Sequence, residues 1–237
     1  MGETLAVGNW ILGKDDVEIF SLGNREIILR NVPVKINKER NIKMVNIDDV
    51  IRLEAEFIAK ENDIEPKQLP ILCLLYAKLP FDIKGAGVKA AQGQIKQITR
   101  FHKMLFEVWQ ETINVGYDKL YPSHDFYPDV YGPVSKDFKP QVESLEKKGL
   151  VKVSWAKKNG ESSIFALTEN GFKVAKELWI ETPDEVKEVI EKTKDKLALA
   201  TAKEIIEHFH EKYPKYKRDR PIVAKMLEKY SKIEKEN

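Results

Sequence analysis

Few side chains in this sequence have the type and spacing that chemistry needs. The four histidines are the first place to look for a metal or a general base. His208 and His210 stand two apart, so on a helix they point in different directions and cannot share an ion. His102 and His124 have no Cys or acidic cluster at ligand spacing. Cys73, the single cysteine, lies inside the apolar run Ile71-Leu72-Cys73-Leu74-Leu75, where a buried inert thiol is expected rather than a nucleophile, disulfide or zinc ligand. Gly85-Ala86-Gly87 before Val88-Lys89 has the start of a phosphate cradle. It lacks the third glycine, a preceding strand and the Lys-Ser/Thr pair, and reads as a hinge. No Gly-x-Ser-x-Gly occurs, and the carboxylates sit on Lys-rich helical stretches where ion pairs between turns account for them. The sequence therefore calls for no catalytic residue, cofactor or metal, and the expectation is that the protein is not an enzyme.

Binding remains. On a segment from Phe138 to Lys148, Phe138, Val142 and Leu145 share one helical face, which leaves Lys139, Gln141, Ser144, Lys147 and Lys148 for the outside. Gln and Ser can hydrogen-bond base edges and Lys can neutralise phosphates, although Glu143 and Glu146 on the same segment dilute the positive potential. Lys157, Lys158 and Asn159 form a basic hairpin tip suited to phosphate or minor-groove contact. Arg100 and Lys103 are expected on the outward face of the preceding helix, either flanking Phe138 to Lys148 and holding a phosphate or pairing with Glu107. Two further basic groups are Lys212, Lys215, Lys217, Arg218 and Arg220, interleaved with Tyr213 and Tyr216, and Lys35, Lys38, Arg40 and Lys43 at a hairpin tip, where charges guard a sheet edge equally well.

The elements that must position these residues follow from periodicity and punctuation. A Tyr131-Gly132-Pro133 turn leads into the helix from Asp137, which places Pro140 in the tolerated first turn. Gly149 ends that helix where a left-handed residue is wanted. Val151 and Val153 alternate with polar residues, Asn159-Gly160 supplies a turn, and Ile164 to Leu167 is a second apolar run, so a hairpin is predicted. Thr168 sits at an N-cap, Gly171 lets the next helix start close against its neighbour, and Phe172, Ala175 and Leu178 follow at helical spacing. Helix, hairpin and helix in this order make the second half of a winged helix.

Upstream, Leu69 to Leu79 reads as a buried first helix ended by Pro80, and Gln92 to Asn114 as a second with Ile95, Ile98, Leu105, Val108 and Trp109 inward. Tyr117, Tyr121, Phe126, Tyr127 and Tyr131 mark a long aromatic loop. Residues 1 to 46 read as short antiparallel strands, with a break at Gly13-Lys14-Asp15-Asp16, followed by a helix to about Lys60. Asp184 to Lys194 and Thr201 to Lys212 are helical, and Pro221 to Tyr230 is a last helix before a frayed tail.

Gly149-Leu150-Val151 after an amphipathic helix, the Asn159-Gly160 tip and Leu167-Thr168-x-x-Gly171 resemble archaeal winged-helix proteins. Thr99-Arg100-x-x-Lys103-x-x-Phe106 followed by Tyr131-Gly132-Pro133-x-Ser135 is more particularly similar to the Panacea-like family of antitoxin and phage-associated proteins, over roughly residues 66 to 215. The resemblance implies the winged-helix fold and, for the activity, an antitoxin or adaptor that binds another protein.

At the scale of the chain, 237 residues give ample length for a core, and 40 Lys and Arg against 38 Asp and Glu exclude a uniformly basic nucleic-acid binder. A charged fraction of 33%, mostly Lys and Glu, with almost no Cys, leans towards a thermophile's composition. No apolar run reaches membrane-spanning length and the N-terminus has no leader pattern, so a cytoplasmic protein is expected. The expected fold class is α+β: a small N-terminal antiparallel β module (1–64), a winged helix-turn-helix domain (65–181) and a C-terminal helical extension (182–237). Two functions stay open. One is a transcriptional regulator that places helix 138–148 in the major groove of double-stranded DNA and the 156–162 wing on its backbone, possible as a homodimer. The other is a protein-binding adaptor that uses the same surface.

Overall fold

The computed structural model describes residues 6–7, 10–21, 25–37, 42–45, 60, 62–79, 90–117, 120–156 and 162–217, the strands before residue 46 by backbone pairing alone. The chain is mixed α+β. Its N-terminal part is a four-stranded antiparallel sheet of β1 (Ala6–Val7), β2 (Trp10–Ser21), β3 (Arg25–Asn37) and β4 (Ile42–Val45), joined in chain order. The break expected at Gly13 to Asp16 is not a turn. β2 runs through it, and the pairing with β3 shifts register between Asp15 and Val17, as a bulge does when one extra residue must be absorbed. The helix expected to reach Lys60 falls, apart from Lys60 itself, outside the described residues, as do the glycine hinge, Lys157 to Asn159, Arg218, Arg220 and the last helix.

After a short 3-10 turn at Pro66–Gln68, α1 (Leu69–Tyr76) is buried over its first seven residues, as its all-apolar sequence requires. It stops before Pro80 because Ala77 turns extended. The second helix starts later than its hydrophobic pattern implied. Ala90–Ala91 (β5) and Gln94–Lys96 (β6) form a hairpin around Gly93, whose φ is +79°, and α2 spans Ile98–Asn114. Ile95 is fully buried as expected, but from a strand, because β6 gains a backbone partner that an isolated helical turn would not have.

The aromatic loop also contains a hairpin, β7 (Phe126–Asp129) with β8 (Gly132–Ser135). It is held by packing: Phe126 meets Phe106 at 5.0 Å and stacks on Trp109 at 5.4 Å, and Tyr121 is buried. α3 (Phe138–Lys147) begins with Ser135 Oγ accepting the Phe138 N–H, and Pro140 stands in the first turn, where its missing N–H costs nothing. Its end is a Schellman arrangement. Gly149, at φ +69°, donates to Glu146 O, and Leu150 donates to Leu145 O. β9 (Val151–Ser154) and β10 (Ile164–Leu167) follow, giving a second antiparallel sheet in the order β5-β6-β10-β9.

α4 (Glu169–Glu181) is capped by Thr168 Oγ1, which accepts from Gly171 N at 2.9 Å. A Cβ on Gly171 would fall 1.8 Å from Leu150 O, so only glycine lets this helix start against the end of α3. α5 (Asp184–Leu199) and α6 (Ala202–Lys212) are the last described α-helices, and a 3-10 turn at Pro214–Tyr216 follows them. One hydrophobic cluster runs from Ile64 to Tyr213 and includes Val186, Ile190, Leu197, Ala198, Ile205 and Phe209, so α5 and α6 share the core of the preceding elements. At its centre Phe101, Phe138 and Phe165, from α2, α3 and β10, meet edge to face at 4.9 to 5.4 Å.

Candidate binding face around helix α3

The inward face of α3 carries Phe138, Val142 and Leu145, all with no exposed surface, which fixes what the helix can present. Lys139, Pro140, Glu146 and Lys147 are exposed, and Gln141, Glu143, Ser144 and Lys148 are half-buried. On the side towards β9, Lys139 lies 3.7 Å from Glu143 and 5.6 Å from the centre of the Trp155 ring, while Glu146 accepts the Val153 N–H. On the other side Gln141 and Lys148 face Asn62–Gln68. Gln141 Nε2 donates to Glu65 Oε2 at 2.9 Å, and Lys148 Nζ donates to Asp63 O and lies 3.5 Å from its carboxylate. Lys67 and Asp137 pair at 2.5 Å beside the start of the helix.

Arg100 and Lys103 are not on this surface. The outward face expected for them faces the interior, where each satisfies carbonyls that would otherwise be orphaned. Arg100 donates to Leu197 O and Ala200 O, closing the end of α5, and also to Gln97 Oε1. Burial lowers its guanidinium to about 10. Lys103 donates to Pro133 O at 2.7 Å in the β7–β8 hairpin, and burial lowers its ammonium to about 7, with Asp129 opposing. Neither pairs with Glu107, which instead takes Lys196, His208 and Lys212. Lys194 repeats the device: it donates to Leu74 O, Leu75 O and Ala77 O at 2.7 to 3.0 Å and caps α1. Burial pushes its ammonium down to about 7.

The other chemistry-bearing groups also lie within the fold, although neither ring nitrogen of His124 has a hydrogen-bond partner among the described residues. His102 Nδ1 accepts the Ser135 N–H, and desolvation with neighbouring Lys103 and His124 lowers it to about 3. His124 is 1% exposed and lowered by burial to about 4. Burial raises the Cys73 thiol, whose sulfur lies 3.8 Å from Thr182 Oγ1. Tyr213 and Tyr216, expected beside a basic patch, pack their rings on Phe106 at 4.9 and 4.7 Å, and Lys212 is held by Glu107 and Glu111. A cleft of about 320 Å³ opens where α2, α6 and the base of the β9–β10 connection meet. Arg100 is the one charged residue among its described lining, and its guanidinium is already committed.

Charge on the face is balanced. Lys67, Lys136, Lys139, Lys147, Lys148 and Lys152 stand among Asp63, Glu65, Asp125, Asp137, Glu143 and Glu146, and four of these lysines are paired. Lys147 and Lys152 carry no ion pair among the described residues. Periodicity gave no sign of Asp63, Glu65 and Lys67, because their partners lie 70 to 85 residues away in sequence. The one available signal was acid density, at Glu61 to Glu65, just before the first helix of the domain. Compared with protein-family models, curated proteins and solved structures, the chain matches none.

Proposed function

We propose that residues 69–181 form a winged helix that docks a protein partner through the exposed side of α3. The fold reading is supported by the chain order α1, β6, α2, α3, β9, β10 with strand order β6-β10-β9, in which the long β9–β10 connection is the wing and the β7–β8 hairpin is inserted between α2 and α3. The choice of partner is carried by the charge balance around α3. Duplex binding draws its affinity from releasing counterions as free cations meet phosphates. Here the six lysines of the face stand among six carboxylates, so the local net charge offered to a phosphate is close to zero, and Arg100 and Lys103 are buried. Pro140, Ser144 and Lys147, with Glu143 among them, offer little to a major groove and suit the polar rim of a protein interface.

A photoreactive residue in place of Ser144, introduced in the native host, tests this. A discrete crosslinked protein that disappears in a Lys147→Glu background is expected. Crosslinks to DNA alone would overturn it. One observation favours the second reading, a DNA-binding regulator: Lys157, Lys158 and Asn159 fall in the β9–β10 connection, where a wing meets the phosphate backbone.

A further inference from the structure

We propose that Asp63-Ile64-Glu65 is an internal occupant of a peptide seat on the flank of α3, and that the partner is an extended acidic segment of the same acid–apolar–acid order which displaces it. This rests on the reading of α3 as a protein-docking helix and adds the chemistry of what docks.

Three observations carry it. First, the seat selects acids: Lys148 takes both the carbonyl and the carboxylate of Asp63, and Gln141 Nε2 takes the Glu65 carboxylate at 2.9 Å. Ile64 between them is buried, 6% exposed, so one core-facing side chain separates the two acids. Second, the occupant is held loosely at its polar ends. The Asp63 side chain is 92% exposed and its φ is +54°, a left-handed conformation that a non-glycine residue adopts at a cost. Ion pairs so open to water contribute little each. Third, the occupant is incomplete. Gln141 Oε1 is buried and no donor among the described residues reaches it, although a buried acceptor normally has one. A backbone N–H of an incoming extended peptide would supply the missing bond.

Because the tethered segment competes at an effective concentration in the millimolar range, it lowers affinity for any incoming segment until a partner with better contacts arrives. The test uses the full chain and, as probe, a fluorescein-labelled peptide of sequence Asn62–Gln68 with blocked ends, read by anisotropy. Asp63→Asn with Glu65→Gln in the protein keeps the shape and weakens the hold. This variant should bind the probe at least tenfold more tightly than wild type, and adding Lys148→Ala should remove the gain. A probe carrying the same two neutralising changes should not bind. Ile64→Ala is the second way of loosening the segment and should give a gain in the same direction should the double variant unfold. Equal binding by wild type and loosened chains, no binding by any, or indifference to probe charge would overturn the proposal. So would displacement of the probe by a short DNA duplex at equal charge, which would mark the seat as one for phosphate. Failure here with an intact Ser144 crosslink would remove the acidic-segment proposal and leave the docking helix standing.

Discussion

At the scale of single residues, the interior uses cations as donors to helix ends. Lys194 sits in the middle of a helix and reads as a surface lysine, yet it closes α1 through three carbonyls 117 to 120 residues away. The outward expectation for Arg100 and Lys103 fails for the same reason: side-chain type predicts exposure unless a distant acceptor intervenes, and no local pattern announces one. Lys194→Met keeps the aliphatic stem and strips three buried carbonyls of their donor. It should cost about 2 to 4 kcal/mol in urea unfolding; a change under about 0.5 kcal/mol would mean that water or backbone replaces the ammonium freely. The two buried histidines, His102 and His124, give a pH dependence. Unfolded, both titrate near 6.5; folded, His102 is held at about 3 and His124 at about 4. As pH falls below 6.5 the unfolded chain takes up two protons that the folded one refuses, so stability is full above 6.5 and is lost as pH falls through 6 and 5 towards 4. The two together give a slope approaching about 2.7 kcal/mol per pH unit. His124→Phe should roughly halve the slope measured between pH 6 and 5, and an unchanged slope would place the titration elsewhere.

At the scale of elements, the stretch from Asp137 to Leu178 was legible because each device is local. The helix start at Asp137, the glycine end at Gly149, the hairpin strands and the Thr168 cap stand within a few residues of what they act on. Gln92 to Lys96 departs from the helix that its apolar period predicts because β6 pairs with β10, about 70 positions on, and strand pairing overrides a short apolar period. Two glycines separate the reasons a helix end needs one. Gly149→Ala meets nothing within 4 Å and pays only for its left-handed backbone, about 1 to 2 kcal/mol. Gly171→Ala drives a methyl into Leu150 O and should lose about 2 to 3 kcal/mol by forcing α3 and α4 apart. Chemical denaturation of the two variants compares them directly, and equal losses would contradict the close approach.

At the scale of the whole molecule, the near-zero balance of 40 basic and 38 acidic side chains turns out to hold locally as well. Sequence spacing identified the inward side of α3 and the diluting Glu143 and Glu146, but not the engagement of Gln141 and Lys148 by Glu65 and Asp63, since those residues from before α1 meet the helix only in the fold. No described helix is long and apolar enough to cross a membrane. We propose that this face is not built for phosphate, and binding of the full chain to random duplex DNA as a function of salt measures that most directly. The expected result is no complex tighter than about 10⁻⁴ M at 50 mM salt, and therefore no measurable slope. Micromolar binding whose log affinity falls with log salt at a slope of about 3 or more, and which loses about one unit of slope in Lys139→Ala or Lys147→Ala, would contradict it.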